Sequence, residues 1–230
     1  PSLLKKVRKS SPAYNIAEVE IPNSANLKVD TSQWIGSHLW VWQNFEPGLT
    51  KLFFQMLKPG DTVIDCGANI GYFSVLAASI VGKSGRVYSF EPNPEAADLL
   101  QDNVYLNAYE EIVHIERRGV WSSPSILQLH NGPKDNNGMV HLTLPSDPSV
   151  PSVEATTVDT ICAGITSPIA LIKLDIEGGE LHALKGAALT IKKHKPIIAC
   201  EVSNLFLEKY EQNSDQLLAL IISYGYELCL

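Results

Sequence analysis

Apolar and polar positions along the chain fall into two regimes that meet near residue 61. Residues 1–33 are polar and lack a clear period, with room for short strands only. Residues 34–45 hold Trp34, Trp40, Trp42 and Phe45. In EPGLTKLFFQMLKPGD (46–61), Leu49, Leu52, Phe53, Met56 and Leu57 keep helical spacing until KPGD stops them. From there, short apolar runs alternate with helical patterns. TVIDCG (62–67) predicts a buried strand and NIGYFSVLAASIVG (69–82) a helix, with Gly82 suited to a left-handed cap. GRVYSFEP (85–92) predicts a second strand. NPEAADLLQDNVYLN (93–107) predicts a helix with Asn93 as N-cap and Pro94 in its first turn. IVHIERRGV (112–120) predicts a third strand, LIKLDIEGGELHALKGAALTIKKHK (171–195) a strand and then a helix, and KPIIACEVS (195–203) a further strand. SDQLLALIISYG (214–225) predicts a helix and YELCL (226–230) a last strand. Strands alternating with helices imply an α/β fold, a mainly parallel sheet with helices on both faces. Residues 124–157 break the rhythm. ILQLH and MVHLTL flank the polar NGPKDNNG as a hairpin would, and PSDPSVPS reads as a linker.

Composition narrows the classes. A chain of 230 residues with 45% hydrophobic and 19% charged residues suits one globular domain with decoration. A formal charge of −7 argues against nucleic acid as partner, and KKVRK at 5–9 is the one basic run. No stretch approaches the ~18 apolar residues of a membrane span. The four cysteines, Cys66, Cys162, Cys200 and Cys229, form no CxxC pair, which points to free thiols and a cytoplasmic setting.

The chemistry begins at VIDCGANIGYFS (63–74). In an open parallel sheet, ligands bind beyond the carboxyl ends of the strands, where strand order reverses. Gly67 and Gly71 allow close approach there, and Glu91, ending the second strand, stands where a carboxylate meets ribose hydroxyls. These residues predict a nucleoside-bearing cofactor. A dinucleotide would lay its pyrophosphate on this turn, where Asp65 would repel it, and Asn69 replaces a glycine of the dinucleotide fingerprint. Asp65 therefore predicts a cofactor cationic at that end, S-adenosylmethionine. The plainer alternative is that Asp65 caps the helix.

Taken in order, VIDCGANIGYFSV, VYSFEPNP, TTVDTI, LIKLDIEGGELHALKGA and PIIACEV resemble the FkbM family of S-adenosylmethionine-dependent methyltransferases, from about Trp34 to the C-terminus. The resemblance implies the class I methyltransferase (Rossmann-like) fold and O-methylation of a hydroxyl on a sugar or polyketide-type acceptor. It divides the chain into an N-terminal extension or cap (1–45) and a methyltransferase domain (46–230) with the hairpin insertion at about 124–157. The family's seventh strand has no counterpart before residue 230. Asp65, Gly67, Ala68, Asn69 and Gly71 match the cofactor turn, and Glu91 the ribose acid, with Pro92 and Asn93 beside it. Asn103 and Asn107 match recurring asparagines, and Glu46 a glutamate ahead of the first core helix. Asp175, Glu177, Gly178 and Glu180 match a D-x-E-G-x-E segment. After the third strand RRGVW departs from the family pattern, leaving the backbone of Gly119 or Val120 to meet adenine.

Methyl transfer to oxygen needs positioning and a proton acceptor. Asp175 is a candidate base or a ligand for the cofactor amine. Glu177, Glu201 and His182 are the other catalytic candidates, while Glu180 suits the first turn of its helix. No metal is expected. The partner is a small-molecule acceptor, with a homodimer possible across an unpaired sheet edge. Two rival readings are a nicotinamide-dependent oxidoreductase and a binding module that holds the cofactor without transferring from it. Lys173, within an apolar strand, has no role in any of these readings.

Overall fold

The computed structural model describes residues 15–132, 136 and 139–229, so the basic run at 5–9 and the centre of the 131–138 loop lie outside the described residues. In chain order the elements are β1 (Ile16–Ile21), β2 (Ala25–Asp30), α1 (Trp34–Trp42), α2 (Pro47–Met56), β3 (Thr62–Cys66), α3 (Tyr72–Val81), β4 (Arg86–Phe90), α4 (Pro94–Leu106), β5 (Val113–Glu116), β6 (Gly119–Val120), β7 (Ser125–His130), β8 (His141–Thr143), β9 (Ser152–Thr156), α5 (Val158–Cys162), β10 (Ile169–Leu174), α6 (Glu180–Lys185), α7 (Ala188–His194), β11 (Ile197–Cys200), α8 (Asn204–Leu207) and α9 (Ser214–Ser223).

The central sheet has the order β11-β10-β3-β4-β5, every pair parallel. From β3 the chain steps outward through β4 and β5, then returns to the other side of β3 for β10 and β11. Strand order therefore reverses between β3 and β10. Both faces are covered, so β3 is buried at every position and reads as an uninterrupted run rather than an alternating one. Val63, Val87 and Leu171 pack on one face against α3 and the first hairpin, and Ile64 and Ile172 on the other against α6, α7 and α9.

The polar N-terminal stretch forms the antiparallel hairpin β1–β2, whose alternate residues Ala17, Val19, Leu27 and Val29 enter the core. Its backbone is met from α4. Asn103 accepts from Lys28 N and donates to the carbonyls of Lys28 and Ile70; Asn107 accepts from Asn26 N and donates to Asn26 O. Both asparagines thus satisfy the open side of β2.

The 124–157 segment is more than a hairpin. β7 and β8 pair antiparallel as expected, but β9, a strand not expected after the 145–152 linker, pairs antiparallel with β7 and parallel with β6. This second sheet carries its own small core of Trp121, Leu127, Leu129, Leu142 and Ala155. The helical pattern after β10 divides at Gly186, where a Cβ would overlap the Trp121 carbonyl. The last strand expected at 226–230 does not form among its described residues. A strand needs a paired ladder, and Tyr226 instead donates through its hydroxyl to Pro196 O. All four cysteines are free, with Cys66 and Cys162 buried, Cys200 half-buried and Cys229 exposed. No helix among the described residues is long and apolar enough to cross a membrane.

Candidate active site

Beyond the carboxyl ends of β3, β4 and β10 lies a cleft of about 220 Å³. The turn from β3 to α3 forms its floor. Gly67 and Gly71 have φ of 77° and 93°, and Asn69, at φ 51°, takes a left-handed conformation that asparagine tolerates. At Gly71 a side chain would collide with Leu100, so this glycine serves the packing of α3 on α4 and does not line the cleft. The turn's backbone donors are all spent within the chain. The N–H groups of Gly67 and Ala68 reach Phe90 O, that of Asn69 reaches Glu91 Oε2 at 2.8 Å, that of Ile70 reaches Asn69 Oδ1, and that of Gly71 reaches Ala68 O. A pyrophosphate laid on residues 67–71 would find no free amide among them.

Glu91 is 6% exposed and lines the cleft together with Gly67, Ala68, Asn69 and Pro92. Its other oxygen accepts from Asn93 N at 2.9 Å, so each oxygen holds one backbone donor and keeps a lone pair. Burial pushes its carboxyl up to about 7 against those two hydrogen bonds. Asn93 does not line the cleft; it caps α4 by accepting from Glu95 N.

The structure corrects the reading of Asp65. Its carboxylate is fully buried beneath the floor and forms no part of the cleft lining. In the parallel register Asp65 on β3 lies opposite Lys173 on β10, with both side chains on the same face. Lys173 Nζ is 3.4 Å from Asp65 Oδ1, 3.3 Å from Asp175 Oδ2 and 3.2 Å from Gly67 O, and 5.4 Å from the centre of the Phe73 ring. Ser74 donates to the second oxygen of Asp65. Burial works against the ammonium, but Asp175 and then Asp65 outweigh it and raise its proton affinity. The negative charge expected at the lip is thus neutralised below it.

The cleft draws its acidity from other residues. Asp175, Glu177, Glu201 and Glu46 all line it. Burial, then Glu201 and Asp175, push Glu177 up to about 8; burial, then Asp175, push Glu201 up to about 7; burial and Asp175 also raise Glu46. Among the described residues Glu177 Oε2 is buried without a hydrogen-bond partner. Glu180 is turned to structure, accepting from the N–H groups of Ile176 and Gly178 through one oxygen. His182, a candidate base by sequence, does not line the cleft. Its ring stacks on Trp121 at 3.7 Å, its nitrogens face Ser122 and Gln212, and burial pushes it down to about 4. Stacking and burial take it out of reach of an acceptor.

Gly119 and Val120 line the cleft as expected, and several aromatic and apolar residues join them. Trp121, Leu142 and Tyr210 come from the second sheet and the chain after β11, while Trp34, Phe45 and Tyr72 approach from the opposite rim. Phe45 packs edge-on against both Trp34 and Tyr72. Among the described residues the two cations of the lining are both paired, Lys173 as above and Arg118 with Glu116.

Residues 65–228 match the profile of the methyltransferase FkbM domain. The hexuronic acid methyltransferase AglP of Haloferax volcanii is 26% identical over 141 residues, 61% of this chain and 56% of that protein. A protein-L-isoaspartate O-methyltransferase of Aeropyrum pernix is 38% identical over 71 residues, 30% of this chain and 27% of its own length. The chain therefore spans little more than half, or less, of the curated relatives it matches. Among solved structures, an FkbM methyltransferase of Methylobacillus flagellatus KT superposes with a TM-score of 0.49 at 22% identity, covering 86% of this chain and 49% of that one.

Proposed function

This chain belongs to the FkbM methyltransferase family, and from that premise we propose that it methylates a hydroxyl of a sugar or related small natural-product acceptor. The cofactor is S-adenosylmethionine, and the residues fit it. A buried carboxylate with free lone pairs, Glu91, suits ribose hydroxyls. Residues 67–71 of the turn offer no free amide to a phosphate, and both cations among the described lining residues are paired. Those features favour it over the nicotinamide reading.

When bound, the cofactor supplies a methyl group on a sulfonium, electrophilic without further activation. The chain's task is then to hold the acceptor and take its proton. Glu91 holds the nucleoside end, with the Gly119–Val120 backbone beside it. Asp175 and Glu46 face the cationic groups. Glu201, with Glu177 next to it, would accept the proton that the acceptor hydroxyl gives up as it takes the methyl group. Carboxyls with proton affinities near neutrality are matched to that duty. The aromatic rim suits a sugar face and excludes water.

The observation that carries this reading is the pairing of the Glu91 pocket with the Glu177–Glu201 wall in one cleft. The named acceptor of the Haloferax relative is acidic, whereas five carboxylates among the described residues line this cleft, which favours an uncharged or amine-bearing acceptor. The net charge of −7 likewise favours a small molecule over nucleic acid. The experiment is a radiolabelled-methyl screen against matched neutral, amino and uronic acid glycosides. Transfer to the first two and little to the third is expected. A cofactor that binds with no transfer to any hydroxyl would leave the binding-module reading in its place.

A further inference from the structure

We infer that Lys173 is a positioning residue, one buried ammonium that ties the Gly67 carbonyl of the cofactor turn to the Asp175 carboxylate of the acceptor wall, with Asp65 as its counter-ion. The inference rests on the methyltransferase reading of the cleft.

Lys173 is 2% exposed in a strand whose other described positions are apolar. A lysine there is costly unless its charge is met, and a well-packed apolar pair would hold the sheet as firmly. Stability therefore does not account for its presence. The ammonium has three donors and three oxygens within 3.2–3.4 Å: Gly67 O, Asp175 Oδ2 and Asp65 Oδ1. A simple buried ion pair needs one of these. The other two lie on opposite sides of the point where strand order reverses, one at the start of the cofactor turn and one at the end of β10. They are joined a second time by the hydrogen bond from Asp175 N to Cys66 O at 3.2 Å. In-line transfer tolerates little misplacement between donor and acceptor, and this is the junction that sets their separation.

The test replaces the buried pair with neutral residues of similar size, D65N/K173M, which leaves net charge unchanged. S-adenosylmethionine is titrated calorimetrically into this variant and the unaltered protein, and urea unfolding is recorded for both. The expected result is an affinity lower by about tenfold, the scale of one lost hydrogen bond to a charged group, with the unfolding midpoint kept. An unchanged affinity, or a loss that appears only together with a lowered unfolding midpoint, would make Lys173 a core residue only and overturn the inference. Should D65N/K173M not fold, D65N/K173Q keeps a donor for Gly67 O without the charge; it should still bind more weakly than the unaltered protein, and an unchanged affinity overturns the inference equally. An unaltered protein that binds neither S-adenosylmethionine nor S-adenosylhomocysteine would instead strike the methyltransferase reading of the cleft.

Discussion

On the proposed reading Glu91 and Glu201 divide the labour of the cleft, Glu91 at the nucleoside end and Glu201 as base, and each has its own signature. Glu91 meets the nucleoside end with both oxygens already oriented by backbone donors. Its replacement by alanine removes charge-assisted hydrogen bonds worth about 1.5–3 kcal/mol, so affinity for S-adenosylhomocysteine should fall roughly ten- to hundredfold by calorimetry. An affinity unchanged in Glu91→Ala would mean that the ribose is held elsewhere. Glu201 works only as its anion. With its carboxyl up at about 7 and that of Glu177 at about 8, methyl transfer should rise through pH 7–8 and then level off. Glu201→Gln should lower kcat by ~10²–10⁴-fold, the usual contribution of a general base, and remove that rise. A pH profile identical in the variant would assign the proton to another group. The acids at the strand ends, Glu91, Asp175 and Glu201, were legible because a carboxylate closing an apolar run has few structural uses. Asp65 closes such a run too, yet it faces inward. What decides between the two outcomes is the residue opposite in the neighbouring strand, and no pattern within one segment reports that β3 and β10 are neighbours with Asp65 facing Lys173.

At the scale of elements, the strands and helices with strong periods stand where their spacing puts them: β3, α3, β4 and α4 follow from apolar runs and caps that need no distant partner. The elements that escaped sequence reading depend on pairing. β9 is a polar-looking SVEAT that becomes a strand because β7 and β6 flank it, and the 226–230 segment stays irregular among its described residues because no ladder forms there. The N-terminal hairpin is likewise held from outside, by two asparagine side chains of α4. Asn103 is fully buried, and its loss leaves Lys28 N–H and two carbonyls without partners. Each unsatisfied buried group costs about 1–3 kcal/mol, so Asn103→Ala should lower unfolding stability by about 2 kcal/mol or more in urea titration. Asn107→Ala, at the half-buried outer end of the same clamp, should cost less. If the two variants lose equally, or neither loses, the clamp is not what seats the hairpin.

The whole molecule carries the site's electrostatics in its stability. Glu91, Glu177 and Glu201 bind protons more tightly when folded than a free glutamate does, so the folded state holds more protons than the unfolded state between about pH 4.5 and 8. Stability must then fall as pH rises through that window. His182 and His141, both pushed down to about 4 chiefly by burial, have the opposite sign. They are neutral in the folded state where an unfolded histidine would be charged, so stability falls as pH drops from about 6.5 towards 4. The two effects oppose each other between pH 4.5 and 6.5, and above 6.5 the carboxyls act alone. Three carboxyls outweigh two histidines, so the thermal midpoint should peak at about pH 4.5, where the two effects balance, and decline from there to 8. Saturating S-adenosylmethionine should flatten that alkaline decline, because its positive groups favour the same carboxylates as anions and so reduce the proton excess of the folded state. S-adenosylhomocysteine lacks the sulfonium charge and should flatten it less. Melting curves taken with each ligand across pH 6–8 separate these cases. Equal flattening by both ligands would mean that the acidic wall does not sense charge at sulfur, and the acids of the cleft would then have to be explained by the acceptor alone.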